Sequence, residues 1–440
     1  MNYTRDEVLQ YVEENDVKFI RISFCDIFGN QRNVSVMPSE LIRAFDLGIS
    51  FDASMVRGFL NANESDLFLV PDANTLTPMP WRPSEGQVVR LFCNIRTPDG
   101  SPFVGDCRTL LRSARAQILD EFGLVCKAGT ECEFYLFQTN EDGNPTLIPQ
   151  DHGTYCDVAP NDKGENVRRQ ICLSLEEMGM RPESSRHELG PGQNEIDLKY
   201  SDILTAADRL VAFKAAVKSI AAAGGLYATF MPKPLENESG SGLHINLSLY
   251  CDGENLFKLD PGEHNPIAES FLAGILRRIR EITCFLNPVP NSYARFGNFE
   301  APKYVSWSHQ NRSQLVRIPA SWGSYARMEL RSPDPGCSPY LSFALLLYAG
   351  MEGIREKLPL CEPENRNLFT ASEKDLQHLE MLPESLEEAL DLAEKSEFVH
   401  RYVPSPLLNC YLTEKRKEWE KYLTCGDTRK YEMETYFLRM

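Results

Sequence analysis

Two glutamates in the segment 129–135 have the spacing to share one face of a β-strand. The segment reads Gly-Thr-Glu-Cys-Glu-Phe-Tyr. Because side chains alternate along a strand, Glu131 and Glu133 project to one side and Cys132 and Phe134 to the other. Two carboxylates this close raise each other's proton affinity unless a cation lies between them. A solvated strand face is the commoner explanation of an isolated pair, so this motif alone is weak evidence for a metal site.

Three other segments show the same alternation of polar and apolar residues. Their polar faces carry Glu195, Asp197 and Lys199; His244, Asn246 and Ser248; and Arg327, Glu329 and Arg331. An exposed sheet face explains one or two such segments, but water-facing strands seldom carry these residue types without solvating lysines. Ionisable groups that converge from several strands are typical of a functional site.

The acidic residues of these segments have the composition of a site for two divalent cations. The candidate ligands are Glu131, Glu133, Glu188, Glu195, His244 and Glu329. Carboxylate oxygens favour Mg²⁺ or Mn²⁺, whereas a structural zinc site requires thiolates or more imidazoles. Mg²⁺ commonly completes its shell with water and nucleotide phosphates, so this ligand set indicates ATP chemistry.

Candidate anion-binding residues lie in a glycine-rich turn and in an arginine-rich stretch. The turn Ser239-Gly240-Ser241-Gly242 offers backbone N–H groups but lacks the P-loop pattern, so it is weak evidence for nucleotide binding. The arginines are Arg295, Arg312, Arg317, Arg327 and Arg331. Guanidinium groups bind carboxylates and phosphates through two parallel hydrogen bonds, so in an acidic chain this stretch predicts an anion pocket.

The elements that must position these residues divide the chain near residue 104. Short β-rich runs at 18–26, 33–37 and 88–95 predict a small strand-rich domain over 1–104. Helical periodicity begins at 108–122, and a second long helix over 202–223 ends at Gly224-Gly225. Strands and helices therefore interleave in a larger α+β domain over 105–440.

Composition excludes several classes of protein. The chain has 440 residues with 46 Lys and Arg against 63 Asp and Glu, a net charge of −17, which offers no basic face for nucleic acid. The longest apolar run, 340–351, is too short to span a membrane. The 13 cysteines show no CxxC pair, which suits the reducing cytoplasm.

The ordered motifs identify the chain as similar to the type I glutamine synthetases over nearly its whole length. They are Phe51-Asp52-Ala53-Ser54, Glu131-Cys132-Glu133-Phe134, His187-Glu188, Gly192-Gln193-Asn194-Glu195, Met231-Pro232-Lys233-Pro234, Gly240-Ser241-Gly242-Leu243-His244, Asn291-Ser292-Tyr293, Asn311-Arg312-Ser313, Arg327-Met328-Glu329-Leu330-Arg331 and Ser332-Pro333-Asp334-Pro335. Chance agreement of so many motifs in order is negligible.

This resemblance implies a role for each matching residue. Glu133, Glu188 and Glu195 match the ligands of one metal, and Glu131, His244 and Glu329 those of the other. Gly240, Arg295, Arg317 and Arg331 match positions that hold glutamate and the transferred phosphate, while Ser248, Arg312 and Arg327 match nucleotide contacts, with Arg312 also at the phosphate. Asp52, Tyr155 and Glu300 match the groups around ammonium, with Glu300 on a flap that closes the site.

The resemblance also implies a fold, an assembly and a reaction. The expected fold is a β-grasp-like N-terminal domain followed by a catalytic domain with a curved antiparallel sheet flanked by helices. The expected assembly is a dodecamer of two hexameric rings, in which Asp52 completes a neighbouring subunit's site. The implied reaction is ATP-dependent ligation of ammonia to L-glutamate with two or more Mg²⁺ or Mn²⁺ ions per subunit.

Two alternatives remain open at this point. A γ-glutamyl-amine ligase would use a larger amine, but Asp52, Tyr155 and Glu300 are all retained. A non-catalytic family member would have lost metal ligands, and all six are present. Two differences from the family pattern bear on the choice: Ser239 replaces the usual asparagine, and the segment 291–300 is one residue shorter than the usual flap.

Overall fold

The computed structural model of the chain describes residues 3–59, 62–81, 86–258, 265–321 and 323–440. Two β-sheets are formed by successive parts of the sequence. A small sheet with two helices comes first, and a larger sheet covered by helices on one face follows it.

The first hundred residues form the small sheet. Its elements are α1 (Arg5–Glu14), β1 (Val17–Cys25), β2 (Gln31–Val36), α2 (Leu41–Leu47), β3 (Ile49–Asp52), β4 (Asp66–Pro71), β5 (Thr77–Pro78) and β6 (Gln87–Arg96). The strands lie in the order β2-β1-β6-β4-β3, with β5 beside β6, and the β1–β6 pair is parallel. Alternate apolar residues such as Ile20, Leu69 and Leu91 form a separate core beneath the sheet. The predicted strand-rich region is confirmed.

The rest of the chain forms the large sheet and its helices. Its elements are α3 (Cys107–Phe122), β7 (Leu124–Thr139), β8 (Pro145–Pro149), α4 (Glu165–Glu177), β9 (Pro182–His187), β10 (Gln193–Asp202), α5 (Ile203–Ala223), β11 (Leu226–Thr229), β12 (Leu243–Cys251), β13 (Glu254–Asn255), α6 (Pro266–Leu286), β14 (Trp307–His309), β15 (Val316–Ile318), β16 (Met328–Leu330), α7 (Pro339–Glu356), α8 (Glu373–Leu376), α9 (Leu386–Lys395), α10 (Glu397–Tyr402), α11 (Ser405–Thr424) and α12 (Thr428–Glu432).

The long strand β7 is the centre of the large sheet. The strands lie in the order β14-β15-β16-β12-β7-β10-β9, with β8 and β11 also paired to β7 and β13 paired to β12. All these pairs are antiparallel except β14–β15. Apolar residues of alternate positions, including Phe134, Ile196 and Leu247, are buried in the main core. The polar residues between them therefore project from the opposite face.

Three long helices, α5, α6 and α7, fill the core. Asp202 caps α5, since its Oδ1 accepts a hydrogen bond from the N–H of Leu204 at 3.2 Å. Helices α6 and α7 cross in close contact: a Cβ on Gly274 would lie 2.2 Å from the carbonyl oxygen of Ala349, and one on Gly353 would lie 2.0 Å from that of Ser270. Only glycine permits this approach of two helix backbones.

A buried network of charges joins the two sheets. The Arg108 guanidinium of α3 donates from Nε and Nη2 to Asp208 of α5 at 2.9 and 2.8 Å. It also donates to Asp72 and to Asn94 of β6, both at 2.9 Å. The hydroxyl of Tyr340 donates to the same Asp208 at 2.7 Å. Arg108 therefore ties the N-terminal sheet to two helices of the large domain.

None of the helices described in this chain is long and apolar enough to cross a membrane. All 13 cysteines lie within the described ranges and are free thiols, many of them buried, as in Cys93, Cys132 and Cys284. The expectation of unpaired cysteines agrees with this arrangement.

Candidate active site

The register of the large sheet brings the polar residues together in rows across neighbouring strands. In one row Arg186 of β9 lies opposite Glu195 of β10, which lies opposite Glu133 of β7. In the next row Asp197, Glu131 and His244 are paired across β10, β7 and β12. Paired residues of antiparallel strands project to the same face, so these side chains meet above the sheet.

A cavity of about 360 Å³ lies over these rows. It is lined by Glu131, Glu133, Tyr155, Arg186, Glu188, Leu189, Gln193, Glu195, Ser239, Gly240, Gly242, His244, Arg295, Asn298, Phe299, Glu300, Ala301, Arg312 and Arg331. Residues that are far apart in sequence thus share one concave site, which is the arrangement expected of an active site.

Glu131, His244 and Glu329 form one group of potential metal ligands, here called the histidine cluster. The Nδ1 atom of His244 lies 3.2 Å from Glu131 Oε2 and 3.6 Å from Glu329 Oε1. Arg331 Nη1 lies 2.6 Å from Glu329 Oε1, and Arg317 Nε donates to Glu329 Oε2 at 2.9 Å. Two carboxylates and an imidazole, with a ring nitrogen facing the carboxylates, form a donor set that fits a divalent cation.

Electrostatics keep the two carboxylates of the histidine cluster ionised. Burial would raise the pKa of Glu131, but His244 and the Asn246 amide outweigh burial and hold that pKa well below its usual range. Burial likewise opposes ionisation of Glu329, yet His244, Arg331 and Arg317 lower its pKa. Both carboxylates are therefore charged at neutral pH, as metal binding requires.

Glu133, Glu188 and Glu195, the other predicted ligand set, line the same cavity and are here called the glutamate cluster. Glu133 Oε2 accepts hydrogen bonds from Gln193 Nε2 at 2.8 Å and from the Gly242 N–H at 2.9 Å. Burial, followed by the negative charges of Asp197 and Glu133, raises the pKa of Glu195 well above its usual range. Burial also raises the pKa of Glu133. A divalent cation would relieve this mutual repulsion, so the donor chemistry fits such an ion.

Two buried arginines on the wall of the cavity keep unused donors. Arg295 Nη1 donates to the Ser332 carbonyl at 3.1 Å, but its Nε has no hydrogen-bond partner among the described residues. The same is true of Arg331 Nε in the described part of the chain. Buried donors are normally satisfied, so an anionic ligand is the expected partner of these guanidinium groups.

The segment 296–301 contributes the other wall. Phe299 and Glu300 have positive φ angles of 46° and 66°, a conformation that costs energy for residues with side chains. Glu300 Oε2 lies 3.6 Å from Arg331 Nη2, while the Glu300 side chain remains 59% exposed. Glu300, which the resemblance places on a flap, therefore contacts Arg331 through a weak ion pair and through its carbonyl, which accepts from Arg331 Nη2 at 3.5 Å.

The structure brings most, but not all, of the predicted residues into the cavity. Of those outside its lining, Glu329 is fully buried and accepts a hydrogen bond from Arg317, which also lies outside. Arg327 lies 3.7 Å from Glu131 Oε1 and donates to Asn246 at 2.8 Å. Ser248 is buried farther along β12, opposite Lys127. Asp52 lies at the end of β3 in the N-terminal sheet and accepts a hydrogen bond from the Ser54 N–H at 3.0 Å. Asp52 does not line the cavity of its own chain.

Two residues of the site were missed from the sequence. Gln193 donates to Glu133 and, at 3.1 Å, to the Gly240 carbonyl, and it also contacts Ser239. Its position two residues before Glu195 could have indicated this, because both share one strand face. Arg186 contacts Glu188, Glu195 and Asp197. Its place two residues before Glu188 was the available signal.

Comparisons with known proteins identify the family. Residues 16–98 match the glutamine synthetase β-grasp domain and residues 104–436 the glutamine synthetase catalytic domain. A protein named glutamine synthetase from Methanosarcina mazei is 44% identical over 95% of this chain and 95% of its own. One of the same name from Clostridium saccharobutylicum is 42% identical over 99% of this chain and 98% of its own.

Solved structures agree. The protein GmaS in complex with ADP has a TM-score of 0.87 at 30% identity, covering 99% of this chain and 100% of the other. Plasmodium falciparum glutamine synthetase has a TM-score of 0.86 at 25% identity, covering 99% of each chain. The expected β-grasp-like domain and curved, helix-flanked catalytic sheet are therefore confirmed. With Glu131, Glu133, Glu188, Glu195 and His244 and buried arginines lining one cavity, and with family matches over nearly its whole length, the chain belongs to the glutamine synthetase family.

Proposed function

We propose that this chain catalyses the ATP-dependent ligation of ammonia to L-glutamate, which forms L-glutamine, ADP and phosphate through γ-glutamyl phosphate. The enzyme is a carbon–nitrogen ligase that uses ATP and divalent metal. The observation that carries this function is that four of the candidate ligand glutamates and His244 line one cavity together with Arg295 and Arg331, in a chain similar to glutamine synthetases over nearly its whole length.

The two clusters would each hold one divalent ion, Mg²⁺ or Mn²⁺. The histidine cluster would bind one through Glu131, His244 and Glu329, and the glutamate cluster the other through Glu133, Glu188 and Glu195. When bound, such ions neutralise phosphate oxygens and so favour phosphoryl transfer.

The remaining polar residues would bind the substrates. Arg295, with its unused Nε, would bind the α-carboxylate of glutamate beside the Gly240 backbone. Arg331 would orient the γ-carboxylate, and Arg312 and Arg317 the transferred phosphate. Ser248, Arg327 and Arg312 would contact the nucleotide. Fixed positive charges aimed at the reacting oxygens stabilise the charge that develops in the transition state.

Attack by ammonia requires loss of a proton from ammonium and exclusion of water. Tyr155, which lines the cavity, would accept a hydrogen bond from ammonium, and Asp52 would accept its proton. Glu300, on the segment 296–301, would shield the acyl phosphate from hydrolysis. The weak contact of Glu300 with Arg331 leaves this segment free to close after substrates bind.

Because Asp52 lies outside its own cavity, we propose that a neighbouring subunit supplies it. The assembly would be a dodecamer of two hexameric rings. Within each chain, the N-terminal domain would end at residue 104 and the catalytic domain begin at residue 105. Sedimentation should then find activity only in the large species. Mixing inactive Asp52→Ala and Arg331→Ala subunits should restore part of the activity, whereas an active monomer would refute shared sites.

A second candidate function is ligation of a larger amine. Ser239 in place of asparagine and the short segment 291–300 favour it, because Ser239 and the end of that segment, Asn298, Phe299 and Glu300, line the cavity. The carboxylates and phenol of the proposed ammonium site favour a small cation instead, since an alkyl group gains nothing among charged residues.

Placement in the cytoplasm is proposed on the free cysteines.

One assay separates the two functions. Phosphate release that depends on ATP and glutamate is measured with ammonium, methylamine, ethanolamine and putrescine. Ammonium should give the highest kcat/KM. A higher kcat/KM for any of the amines would transfer the chain to the γ-glutamyl-amine ligases.

A further inference from the structure

The segment 150–164, between β8 and α4, carries Tyr155 to the cavity and consists of turns and extended chain. Tyr155 itself is 53% exposed, so its own packing does not hold it in place. The backbone of the segment meets the strands at points such as the Cys156 N–H, which donates to the carbonyl of His187 at 3.0 Å. A loop of this kind keeps one position only where buried side chains anchor it.

Asp151, at the start of this segment, is buried and accepts hydrogen bonds from both of its ends. Its Oδ1 accepts from the N–H of Gly153 at 3.2 Å, and its Oδ2 from the N–H of Lys163 at 2.9 Å. Oδ1 also accepts from the N–H of Gly192 at 3.0 Å and lies 2.8 Å from Nε2 of His187. One carboxylate therefore ties the segment to the turn between β9 and β10.

His187 connects Asp151 to the glutamate cluster. Its Nδ1 lies 2.6 Å from the carbonyl oxygen of Glu188, and its ring is fully buried. A carbonyl oxygen and an ionised carboxylate only accept hydrogen bonds, so both ring nitrogens donate. The ring thus bridges the start of the Tyr155 segment and the backbone of a proposed metal ligand.

A second buried contact anchors the other end of the segment to the same pair of strands. Asn194 is paired with His187 across β10 and β9, and its Oδ1 accepts from Arg168 Nη1 at 2.6 Å. Arg168 of α4 also donates to both carboxylate oxygens of Asp162. Asp151, Asp162 and His187 lie close together, but each carboxylate oxygen already has a partner. This group is therefore an anchor and not an open set of metal ligands.

We propose that Asp151 and His187 are positioning residues for the attack on the acyl phosphate: they fix Tyr155 relative to Glu188, so that the phenol oxygen meets ammonium at the right place. This inference rests on the proposed function, because it takes Tyr155 as part of the ammonium site. Both side chains lie outside the lining of the cavity, so they act through the residues that they hold. A Cβ on Gly153 would lie 2.8 Å from His187 Nε2, which shows how closely the segment packs on the ring.

Steady-state kinetics of the full chain test this role. Asp151→Ala should raise KM for ammonium by about tenfold or more, because the segment that carries Tyr155 loses its anchor. KM for ATP should stay within about twofold, since His187 keeps its contact with the Glu188 carbonyl. Asp151→Asn keeps an acceptor oxygen and should recover most of the affinity for ammonium. Gly153→Ala displaces the same segment with the carboxylate in place, and it should also raise KM for ammonium.

A double-mutant cycle with Tyr155→Phe shows whether the effect passes through the phenol. Asp151→Ala should raise KM for ammonium much less in the Tyr155→Phe chain than in the native chain. Equal ratios in the two chains, or an unchanged KM in Asp151→Ala, would overturn the positioning role and leave the ligation reaction standing. A native chain without ammonium-dependent phosphate release would instead refute the proposed function, and this inference with it.

The matched control is Asp106→Ala. Asp106 is also a buried carboxylate, and it accepts from the N–H groups of Arg108 and Ile95 at 3.0 and 3.1 Å, outside the lining of the cavity. Denaturant unfolding should show a loss of stability in both alanine variants, whereas KM for ammonium should rise only in Asp151→Ala. An equal rise in Asp106→Ala would overturn the inference, because it would show that any loss of stability raises this KM.

Discussion

The junction between the sheets and the cavity both bury charged groups, but they arrange them differently. At the junction every nitrogen of the Arg108 side chain that can donate has a partner in Asp208, Asp72 or Asn94. In the cavity, carboxylates gather over the strands, while Arg295 and Arg331 each keep an Nε without a hydrogen bond to the described chain. Complete pairing serves stability, whereas incomplete pairing leaves the charges available to ligands.

The largest effect is expected in the cavity. Glu329→Ala should lower turnover by about 10³-fold or more, because it removes a proposed metal ligand and the partner of Arg317 and Arg331. Turnover at saturating Mg²⁺ is measured, and circular dichroism reports whether the fold survives. Glu329→Gln, which keeps the volume, serves as a second variant, and Glu183→Ala, on an exposed part of β9, serves as the control. Near-native turnover of Glu329→Ala would remove Glu329 from the metal site.

At the junction the expected effect is on stability. Arg108→Met should lower the free energy of unfolding by about 3–5 kcal/mol, because it leaves Asp208 and Asp72 without their cation. Denaturant unfolding measures it. Arg5→Met removes an equally bidentate but exposed pair with Asp46 and should cost about 1 kcal/mol or less. Equal losses in the two variants would show that burial of the Arg108 network contributes nothing.

Metal should stabilise the cavity and leave the junction unchanged. Mn²⁺ at about 100 times its dissociation constant should raise the free energy of unfolding of the metal-free chain by about 2.7 kcal/mol per site. Thermal unfolding with and without Mn²⁺ measures this, and a chelator should reverse it. The rise should persist in Arg108→Met but shrink in Glu195→Ala. An equal rise in all three chains would place the ion elsewhere.

The smallest effect is expected from a residue that only positions others. Gln193→Leu removes the donors to Glu133 and the Gly240 carbonyl, so KM for glutamate should rise by about tenfold, in line with a loss of about 1–1.5 kcal/mol. Steady-state kinetics at saturating ATP and ammonium measure KM and kcat separately. An unchanged KM would show that Glu133 and Gly240 keep their places without Gln193.

Local sequence patterns predicted the polar face of the large sheet, but they gave no indication of the charge network at the junction. The alternation around Glu131, Glu195 and Glu329 predicts a shared strand face because the period of a strand is two residues. Nothing local relates Arg108 to Asp208, which lies 100 residues away. The roles in binding that rest on the family resemblance remain predictions for each residue.

The crossing of α6 and α7 and the segment 296–301 were also beyond sequence reasoning. Gly274 and Gly353 read as ordinary helix positions until both helices are placed together. Positive φ angles at Phe299 and Glu300 oppose the local preference of both residues and are maintained by the surrounding fold. Both features are therefore determined by long-range packing, which the spacing of residues in the sequence does not reveal.

Each of the two clusters includes one glutamate of strand β7, so an insertion or deletion in this strand would affect both clusters. Glu131 and Glu133 belong to successive rows of β7, so the offset between the rows equals two strand residues, about 6.8 Å. A one-residue insertion or deletion in β7 between Glu131 and Glu133 would move one of these glutamates to the apolar face of the sheet. It would also change the cross-strand partners of that glutamate. Length changes should instead be tolerated in the turn 140–144 at the end of β7, because the chain is exposed there. The spacing of the two proposed cation sites is thus set by the backbone repeat, and side-chain substitutions can tune each site without altering the offset between them.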